Sequence, residues 1–353
     1  VFKQVKLENG EYLQNIIQVA AGENVTYALS SKGEVYAWGV NEFGQLGQDE
    51  IGTNRLYPVK IKTAKNIMKI EAGYNFAIMQ DAEGGMWAVG QNVGNFANGN
   101  QVNSALPVRM KDENNVALYG VKSFDAGAYH VVIMKNDGTV WTAGYNDLGQ
   151  LGDATVTSSD STVTAAATVL TKVKTSSSAY VTDAKAVFAN GNSTYITRVN
   201  DADGKPQGMY VCGENKYGEL FNLTTGNRTY ATLVQTDKEI LTVGGMGFYA
   251  ETKETVNNTD GTTSTQTVYT KNGTGVIVEK DGTLHTIGYN KNGEMAIGRI
   301  ENVMYLVKVT RSIINTNEIF LEFNNIGETK QLEYDISYSN NLLKSKKNNK
   351  QYL

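Results

Sequence analysis

The sequence predicts an all-β fold in which a unit of four short antiparallel strands recurs along most of the chain. Three observations support it. Glycine is abundant, with 36 glycines and only 3 prolines in 353 residues; short apolar runs alternate with turn residues; and one glycine pattern returns in register. This composition favours short strands joined by tight turns over helices.

The repeat is clearest in two segments that align without a gap. Residues 19–47 read VAAGENVTYALSSKGEVYAWGVNEFGQLG, and residues 124–152 read FDAGAYHVVIMKNDGTVWTAGYNDLGQLG. Successive glycines are eleven, six, five and three positions apart in both segments. Looser copies cover residues 70–99, 213–220 and 281–293. We therefore predict five units, near residues 17–62, 68–111, 121–175, 181–236 and 240–310.

Each unit is expected to form four strands. In the first unit, residues 17–21, 26–30, 34–38 and 57–62 have strand-like patterns, and a Lys32-Gly33 turn reverses the chain. A single sheet of this size cannot bury both of its faces, so neighbouring units must stack face to face around an axis. The sequence therefore predicts a β-propeller built from four-stranded blades.

Two motifs link the repeat to a known family. Trp38-Gly39-Val40-Asn41 precedes Gly44-Gln45-Leu46-Gly47, and Ala143-Gly144-Tyr145-Asn146 precedes Gly149-Gln150-Leu151-Gly152. Over roughly residues 1–310 this pattern resembles the regulator-of-chromosome-condensation repeat family, whose members usually close with seven blades. We expect five recognisable blades of an incomplete seven-bladed ring. Because Val1–Lys6 resembles the last strand of another blade, we also expect the chain to be part of a longer protein.

The repeat stops after Thr310, and residues 311–353 have a different character. Ser312–Leu321, Asn325–Leu332 and Tyr334–Ile336 resemble the first two strands of a bacterial immunoglobulin-like domain. About 100 residues are needed for an immunoglobulin sandwich, so this would be a truncated start. The segment is expected to add a short C-terminal β element, and the lysine- and asparagine-rich tail Lys344–Lys350 is expected to be disordered.

Composition excludes several classes of function. The formal net charge of −4 and the pI near 5.5 argue against nucleic acid as the main partner. One cysteine and two histidines leave little material for a zinc site, and no apolar run is long enough to span a membrane. Phosphate-loop, HExxH, GxSxG and dinucleotide motifs are missing from the sequence. We therefore expect no enzyme activity, no catalytic residue, no metal and no cofactor.

Individual chemistry-bearing residues favour structural roles. We expect His130 to make a hydrogen bond within its own blade, and Cys212 to be a buried, inert thiol. Asp201-Ala202-Asp203-Gly204 lacks the ligand spacing of a calcium loop, which favours an Asx turn. Asp125 and Asp183 are the candidates for carboxylates converging in a propeller channel, a less favoured hydrolase or lyase hypothesis.

Two functional hypotheses follow. In the first, the propeller is a non-enzymatic scaffold of an exported or cell-surface bacterial protein, and it binds a protein or glycan through rim loops and insertions. A predicted hairpin at 251–272 is the candidate binding insertion, with Asn258, Asp260 and Gly261 at its turn and Tyr269 on its second arm. The alternative, implied by the family resemblance, is guanine-nucleotide exchange on a small GTPase.

Overall fold

The structure is a computed structural model that describes residues 3–63, 66–156, 166–257, 263–290, 295, 302–309, 334–335, 343–345 and 351–352. Within these ranges all regular secondary structure is β-strand. No described segment forms a helix with the length and apolar character needed to cross a membrane.

Five four-stranded antiparallel sheets follow one another along the chain, and in each the strands lie in sequence order. Sheet 1 contains β1 (Ile16–Ala21), β2 (Val25–Ser30), β3 (Val35–Gly39) and β4 (Arg55–Lys60); sheet 2 contains β5 (Ile67–Ala72), β6 (Phe76–Asp81), β7 (Met86–Gly90) and β8 (Ser104–Arg109); sheet 3 contains β9 (Val121–Ala126), β10 (His130–Lys135), β11 (Val140–Tyr145) and β12 (Ala166–Lys172); sheet 4 contains β13 (Ala184–Asn190), β14 (Ser193–Arg198), β15 (Met209–Gly213) and β16 (Arg228–Val234); sheet 5 contains β17 (Ile240–Asn257), β18 (Thr263–Glu279), β19 (Leu284–Gly288) and β20 (Val303–Val309).

The chain divides into two compact units. The first, residues 1–214 and 227–237, contains sheets 1 to 4. The second, residues 215–226 and 238–353, contains sheet 5 and a small three-stranded sheet of β21 (Tyr334–Asp335), β22 (Leu343–Ser345) and β23 (Gln351–Tyr352). Part of the expected disordered tail is therefore in strands; Lys346–Lys350 lie outside the described residues.

A glycine turn joins the second and third strands, as the sequence predicts. In sheet 1, Gly33 has a φ of +75°, and its N–H donates to the Ser30 carbonyl at 2.9 Å. Glycine adopts a positive φ without the clash that a Cβ would cause. The equivalent glycines also have positive φ: Gly84 (+83°), Gly138 (+79°) and Gly282 (+87°).

Sheets 1 to 4 pack face to face in chain order. Tyr27, Leu29 and Val35 of sheet 1 share one apolar cluster with Ile70 and Met79 of sheet 2. A second cluster joins sheets 2 and 3, and a third joins sheets 3 and 4. Neighbouring sheets thus bury the faces that a single sheet would expose to water. This is the blade packing of a β-propeller, and it confirms the predicted fold class.

The repeated asparagine shapes the loop between the third and fourth strands. The side-chain oxygen of Asn41 accepts the Leu46 N–H at 3.0 Å, while its amide donates to the Glu50 carbonyl at 3.0 Å. Because Asn41 is fully buried, its polar atoms need such partners. The hydrogen bond from a backbone N–H to the asparagine side-chain oxygen recurs in the loops of three other sheets: Leu151 to Asn146 (3.0 Å), Leu220 to Asn215 (2.9 Å) and Met295 to Asn290 (2.8 Å).

The structure differs from the sequence predictions in its outer strands. The predicted strand at 57–62 is observed as β4, which begins two residues earlier, at Arg55. Sheet 3 also has an outer strand, β12, within a serine- and threonine-rich segment whose pattern carries only a weak strand signal. The first residue of β4, Arg55, pairs with Gly39 at the end of β3, and a β-bulge separates this pair from the rest of the strand pairing.

The predicted hairpin in the fifth unit is confirmed, with longer arms than expected. β17 and β18 pair from Ile240–Glu279 to Asn257–Thr263. β19 pairs with β18 only between Thr274 and Val278, so a two-stranded ribbon extends beyond the sheet.

Candidate protein-interaction site

The loops between first and second strands lie at one end of sheets 1 to 4, and backbone hydrogen bonds join them in a row. The Glu23 N–H donates to the Tyr74 carbonyl at 2.9 Å, and the Tyr74 N–H donates to the Ala128 carbonyl at 3.1 Å. The Ala128 N–H continues the row to the Gly191 carbonyl at 2.7 Å. Four loop tips are therefore held in fixed register by the packed sheets beneath them.

Three tyrosines meet on this row, and we name them the tyrosine cluster: Tyr74, Tyr129 and Tyr145. The Tyr74 and Tyr129 rings stand edge to face with centroids 5.2 Å apart, and the Tyr129 and Tyr145 centroids are 6.3 Å apart. The Tyr145 N–H donates to the Tyr129 carbonyl at 2.9 Å, which joins two loops of sheet 3. All three side chains remain partly exposed.

Acidic residues surround the tyrosine cluster. Glu23 and Glu214 belong to the loops on either side of it, and Asp147 follows Tyr145 by two residues. The Glu214 carboxylate accepts the Asn192 amide at 2.8 Å. The described loops at this end of the first unit contain six exposed or partly exposed acidic residues and two arginines: Glu23, Glu42, Asp49, Glu50, Asp147, Glu214, Arg55 and Arg228. A seventh acidic residue, Asp153, is buried. The surface is therefore aromatic and predominantly acidic.

This combination suits recognition of a protein. Tyrosines supply a large contact area at low conformational-entropy cost and are enriched where interfaces concentrate binding energy. An acidic surround attracts a basic partner and raises its association rate. This site could not be identified from the sequence, because the three tyrosines occupy different positions of the repeat and meet only in the folded sheets.

His130 directly follows Tyr129 and is fully buried. Its Nε2 is 2.9 Å from the Thr194 hydroxyl of sheet 4, and that hydroxyl donates its one proton to the Gln150 carbonyl at 2.8 Å. Nε2 must therefore carry the imidazole proton and donate it to Thr194. Complete burial lowers the pKa of His130 to about 3. The expected hydrogen bond exists, but the prediction that it stays within one blade is wrong: it links sheets 3 and 4.

Cys212 is fully buried in the same region, and burial raises the pKa of its thiol to about 12. A thiol with so little thiolate is a poor nucleophile and metal ligand. The predicted burial of Cys212 is confirmed, and the raised pKa supports the prediction that its thiol is inert.

The two candidate channel carboxylates have separate structural partners. Asp125 accepts the N–H groups of Ala126 at 2.8 Å and Ala189 at 2.9 Å, so it joins sheets 3 and 4. Burial, and then the nearby Glu71 charge, raise its pKa to about 7. Asp183 instead forms an ion pair with Arg198 at 2.6 Å. The described contacts give these two residues no shared site.

Two further sequence predictions concern loops. The Asx turn is confirmed, because Asp201 accepts the N–H groups of Asp203 at 3.1 Å and Lys205 at 2.8 Å. In the hairpin of sheet 5, Tyr269 lies in β18 opposite Glu251 of β17. The other three candidate binding residues, Asn258, Asp260 and Gly261, lie outside the described residues, so their role stays a prediction.

Comparisons with known proteins support the repeat family. A family model described as the regulator of chromosome condensation (RCC1) repeat matches residues 32–79, and a second model of the same description matches residues 16–45 and 121–150. Mouse "Regulator of chromosome condensation" is 30% identical over 146 residues, which is 40% of this chain and 33% of the relative. Yeast "Guanine nucleotide exchange factor SRM1" is 33% identical over 144 residues, 39% of this chain and 29% of the relative.

The chain spans about a third of the length of these curated relatives. These two relatives are eukaryotic, and neither a bacterial origin nor the immunoglobulin-like start is supported by the comparisons. Among solved structures, Prp20p from Saccharomyces cerevisiae matches with a TM-score of 0.62 at 20% identity, covering 84% of this chain and 64% of that one. Human WBSCR16 matches with a TM-score of 0.60 at 14% identity, covering 90% and 75%. At these identities the likeness concerns the fold.

Proposed function

We propose, from the finding that this chain carries repeats of the RCC1 family, that it is a protein-binding propeller that acts on a small GTPase as a guanine-nucleotide exchange factor. The tyrosine cluster and its acidic surround are the observation that carries the proposal. They form a rigid, aromatic surface on the loop tips, and the sequence similarity includes a yeast protein named as an exchange factor.

Nucleotide exchange needs no nucleophile, metal or acid–base pair on the exchange factor. A factor accelerates release when it binds the nucleotide-free GTPase more tightly than the nucleotide-bound form, because its binding energy then favours the state without nucleotide. The tyrosine cluster would supply the apolar contact, and Glu23, Asp147 and Glu214 would orient a basic surface of the GTPase. The backbone bonds between loop tips would keep this surface in one conformation.

The test is release of a fluorescent GDP analogue from a panel of small GTPases, one of them the Gsp1p named with Prp20p. The intact chain is expected to accelerate release from at least one GTPase by tenfold or more. The double variant Tyr74→Ala/Tyr129→Ala should return the rate to the intrinsic value. Tyr119→Ala/Tyr180→Ala removes two exposed tyrosines at the opposite end of the sheets and should leave the acceleration unchanged.

A second candidate is a scaffold that binds a protein or glycan at a cell surface or after secretion. The ribbon of β17 and β18 favours it, because among the described residues 247–257 and 263–273 pair only with each other, and the edge of an extended strand can take up a peptide. Removal of residues 248–272, with a two-residue Asn-Gly turn in their place, keeps Gly247 opposite Gly273 and separates the two candidates. If the variant no longer binds a partner that the intact chain binds, the scaffold is favoured. If the variant still accelerates GDP release from a small GTPase, the exchange factor is favoured.

A further inference from the structure

Side chains join the first strands of sheets 1 to 4 from edge to edge. Each first strand lies at the edge of its sheet, so its outer N–H and C=O groups need partners from elsewhere. The Gln18 side chain of β1 bonds the N–H and the C=O of Ile70 in β5, at 3.0 and 2.6 Å. The Lys69 ammonium of β5 donates to the Phe124 carbonyl of β9 at 2.9 Å. The Asp125 carboxylate of β9 continues the row to β13 through the bond described above.

The middle of this row brings two carboxyls to one ammonium. Glu71 and Asp125 hold the same position on the first strands of sheets 2 and 3, each opposite the third residue of the second strand. The Lys69 Nζ is 3.2 Å from the Glu71 Oε1, while it also bonds the carbonyl of the residue before Asp125. A single positive charge therefore serves two carboxyls across the contact between the sheets.

The two carboxyls titrate as a pair. Burial raises the pKa of Glu71, and the Lys69 charge opposes this shift. Burial, and then the Glu71 charge, raise the pKa of Asp125 to about 7. Two neighbouring carboxyls cannot both ionise without repulsion, so the second proton leaves the pair at a higher pH than the first. The position of the last proton is therefore decided in the neutral range.

The strands packed around the pair carry six further titratable groups: Tyr27, Asp81, Lys122, His130, Lys135 and Lys185. The tyrosine and the histidine are buried and neutral, and Lys122 and Lys185 are exposed. Asp81 and Lys135 lie opposite the first residues of β5 and β9, at the other end of the sheets, and have ion-pair partners there. Of the cations described, Lys69 is the one that lowers the pKa of both carboxyls.

The pair lies at the base of the loops that form the tyrosine cluster. Glu71 precedes Tyr74 by three residues, and Asp125 precedes Tyr129 by four. The bond from the Tyr74 N–H to the Ala128 carbonyl, at 3.1 Å, joins the same two loops just beyond the strand ends. Repulsion between the carboxylates therefore acts across the contact that brings Tyr74 and Tyr129 together.

We propose that Glu71 and Asp125 share one proton, and that its release to solvent as the pH rises from about 6 to 8 loosens the tyrosine cluster and weakens binding there. Without the proton, two negative charges share one ammonium, and their repulsion separates sheets 2 and 3 at the base of the loops. With the proton, the repulsion is absent and the row stays closed. The proton site depends only on contacts among sheets 2 to 4, whereas its effect on a partner rests on the proposed function.

The proton site is tested by NMR of the full chain, with ¹³C in the aspartate carboxyls and tyrosine rings, titrated from pH 5 to pH 8. We expect the Asp125 carboxyl to titrate with a midpoint near 7, and the ring signals of Tyr74 and Tyr129 to shift with the same midpoint. Glu71→Gln removes the repelling charge and should lower the midpoint by about one pH unit or more. Lys69→Met removes the attracting charge and should raise it.

A matched control separates this pair from carboxyls in general. Glu113→Gln removes another carboxylate that is paired with a lysine, 2.6 Å from the Lys135 Nζ, and should leave the Asp125 midpoint and the tyrosine signals unchanged. Circular dichroism checks that each variant is folded. An Asp125 midpoint below about 5, the same midpoint in Glu71→Gln, or tyrosine signals that do not follow the carboxyl would overturn the proposal.

The effect on a partner is tested by GDP release at pH 6, 7 and 8, expressed at each pH as the acceleration over the GTPase alone. Wild-type acceleration should fall about fivefold or more from pH 6 to pH 8, whereas that of Glu71→Gln should stay constant. The same pH dependence in both proteins would overturn the regulatory role. If the carboxyl and tyrosine signals titrate as expected but no GTPase releases GDP faster, the proposed function fails and the proton site stands.

Discussion

Replacing the buried His130 should remove a defined part of the protein's pH dependence. Burial lowers the pKa of His130 to about 3, whereas an unfolded histidine titrates near 6.5. Between these values the unfolded chain binds a proton that the folded chain excludes, so this histidine makes the fold less stable as the pH falls from about 7 towards 3. Integrated from about pH 7.5 to pH 4, the loss is about 3 kcal/mol.

His130→Phe is the appropriate replacement, because sheet 2 already has phenylalanine at this position. Phe76 packs against Gly73 as His130 packs against Gly127: in both cases a Cβ on the glycine would overlap the ring. The variant loses the hydrogen bond to Thr194, which should cost about 1 kcal/mol at neutral pH. The phenylalanine ring binds no proton in either the folded or the unfolded protein.

Urea unfolding followed by circular dichroism, at several pH values from 7.5 to 4, measures the free energies of unfolding of both proteins. The difference between wild type and variant isolates the histidine, since other groups titrate alike in the two proteins. We expect wild type to be the more stable at pH 7.5 and the variant to be the more stable at pH 4, with the difference changing by about 3 kcal/mol. A difference that stays constant across this range would refute a buried, neutral His130.

Three other substitutions test contacts within a loop and between sheets. Asp125 should have the opposite pH dependence to His130, because its pKa is raised to about 7 and the folded protein therefore favours the protonated carboxyl. In the same urea assay, wild type should lose stability relative to Asp125→Asn as the pH rises from about 4 to 7. Asn146→Ala removes the clamp on a loop and should lower the free energy of unfolding by about 2–4 kcal/mol, whereas Asn9→Ala, at an exposed turn, should change it by less than about 1 kcal/mol. Gly149→Ala should lower the melting temperature more than Gly204→Ala, although both glycines have a positive φ. A Cβ at Gly149 would lie 2.7 Å from the Arg228 carbonyl oxygen, whereas a Cβ at Gly204 would have no atom within 4 Å. Equal melting temperatures for the two glycine variants would contradict the close contact between sheets 3 and 4.

The fold could be predicted because each unit carries its own local signals. The turn glycine Gly33 and the buried Asn41 act within a few residues of themselves, so their roles repeat wherever the spacing repeats. β12 gave no comparable signal: its alanine and threonine residues are held as a strand by pairing with β11, such as Thr142 opposite Thr171. Tertiary pairing decides such segments more than intrinsic preference does.

The candidate site could not be predicted from the sequence, because it is assembled between sheets. Tyr74 and Tyr129 lie on consecutive units, one and two residues after their repeat glycines, and neither position is aromatic in the other unit. Likewise, the hydrogen bond from His130 to Thr194 crosses 64 residues of sequence. The repeat spacing predicts where the loops are, and the packing of the sheets decides which side chains meet there.

Hydrogen exchange of the intact chain, alone and bound to a nucleotide-free small GTPase on which it is active, shows whether the tyrosine cluster contacts the GTPase. We predict protection at residues 73–75, 127–130 and 144–147, where the tyrosine cluster lies, and no protection there for Tyr74→Ala/Tyr129→Ala. Protection confined to the ribbon of β17 and β18 or to the opposite end of the sheets, with the tyrosine loops unchanged, would contradict it.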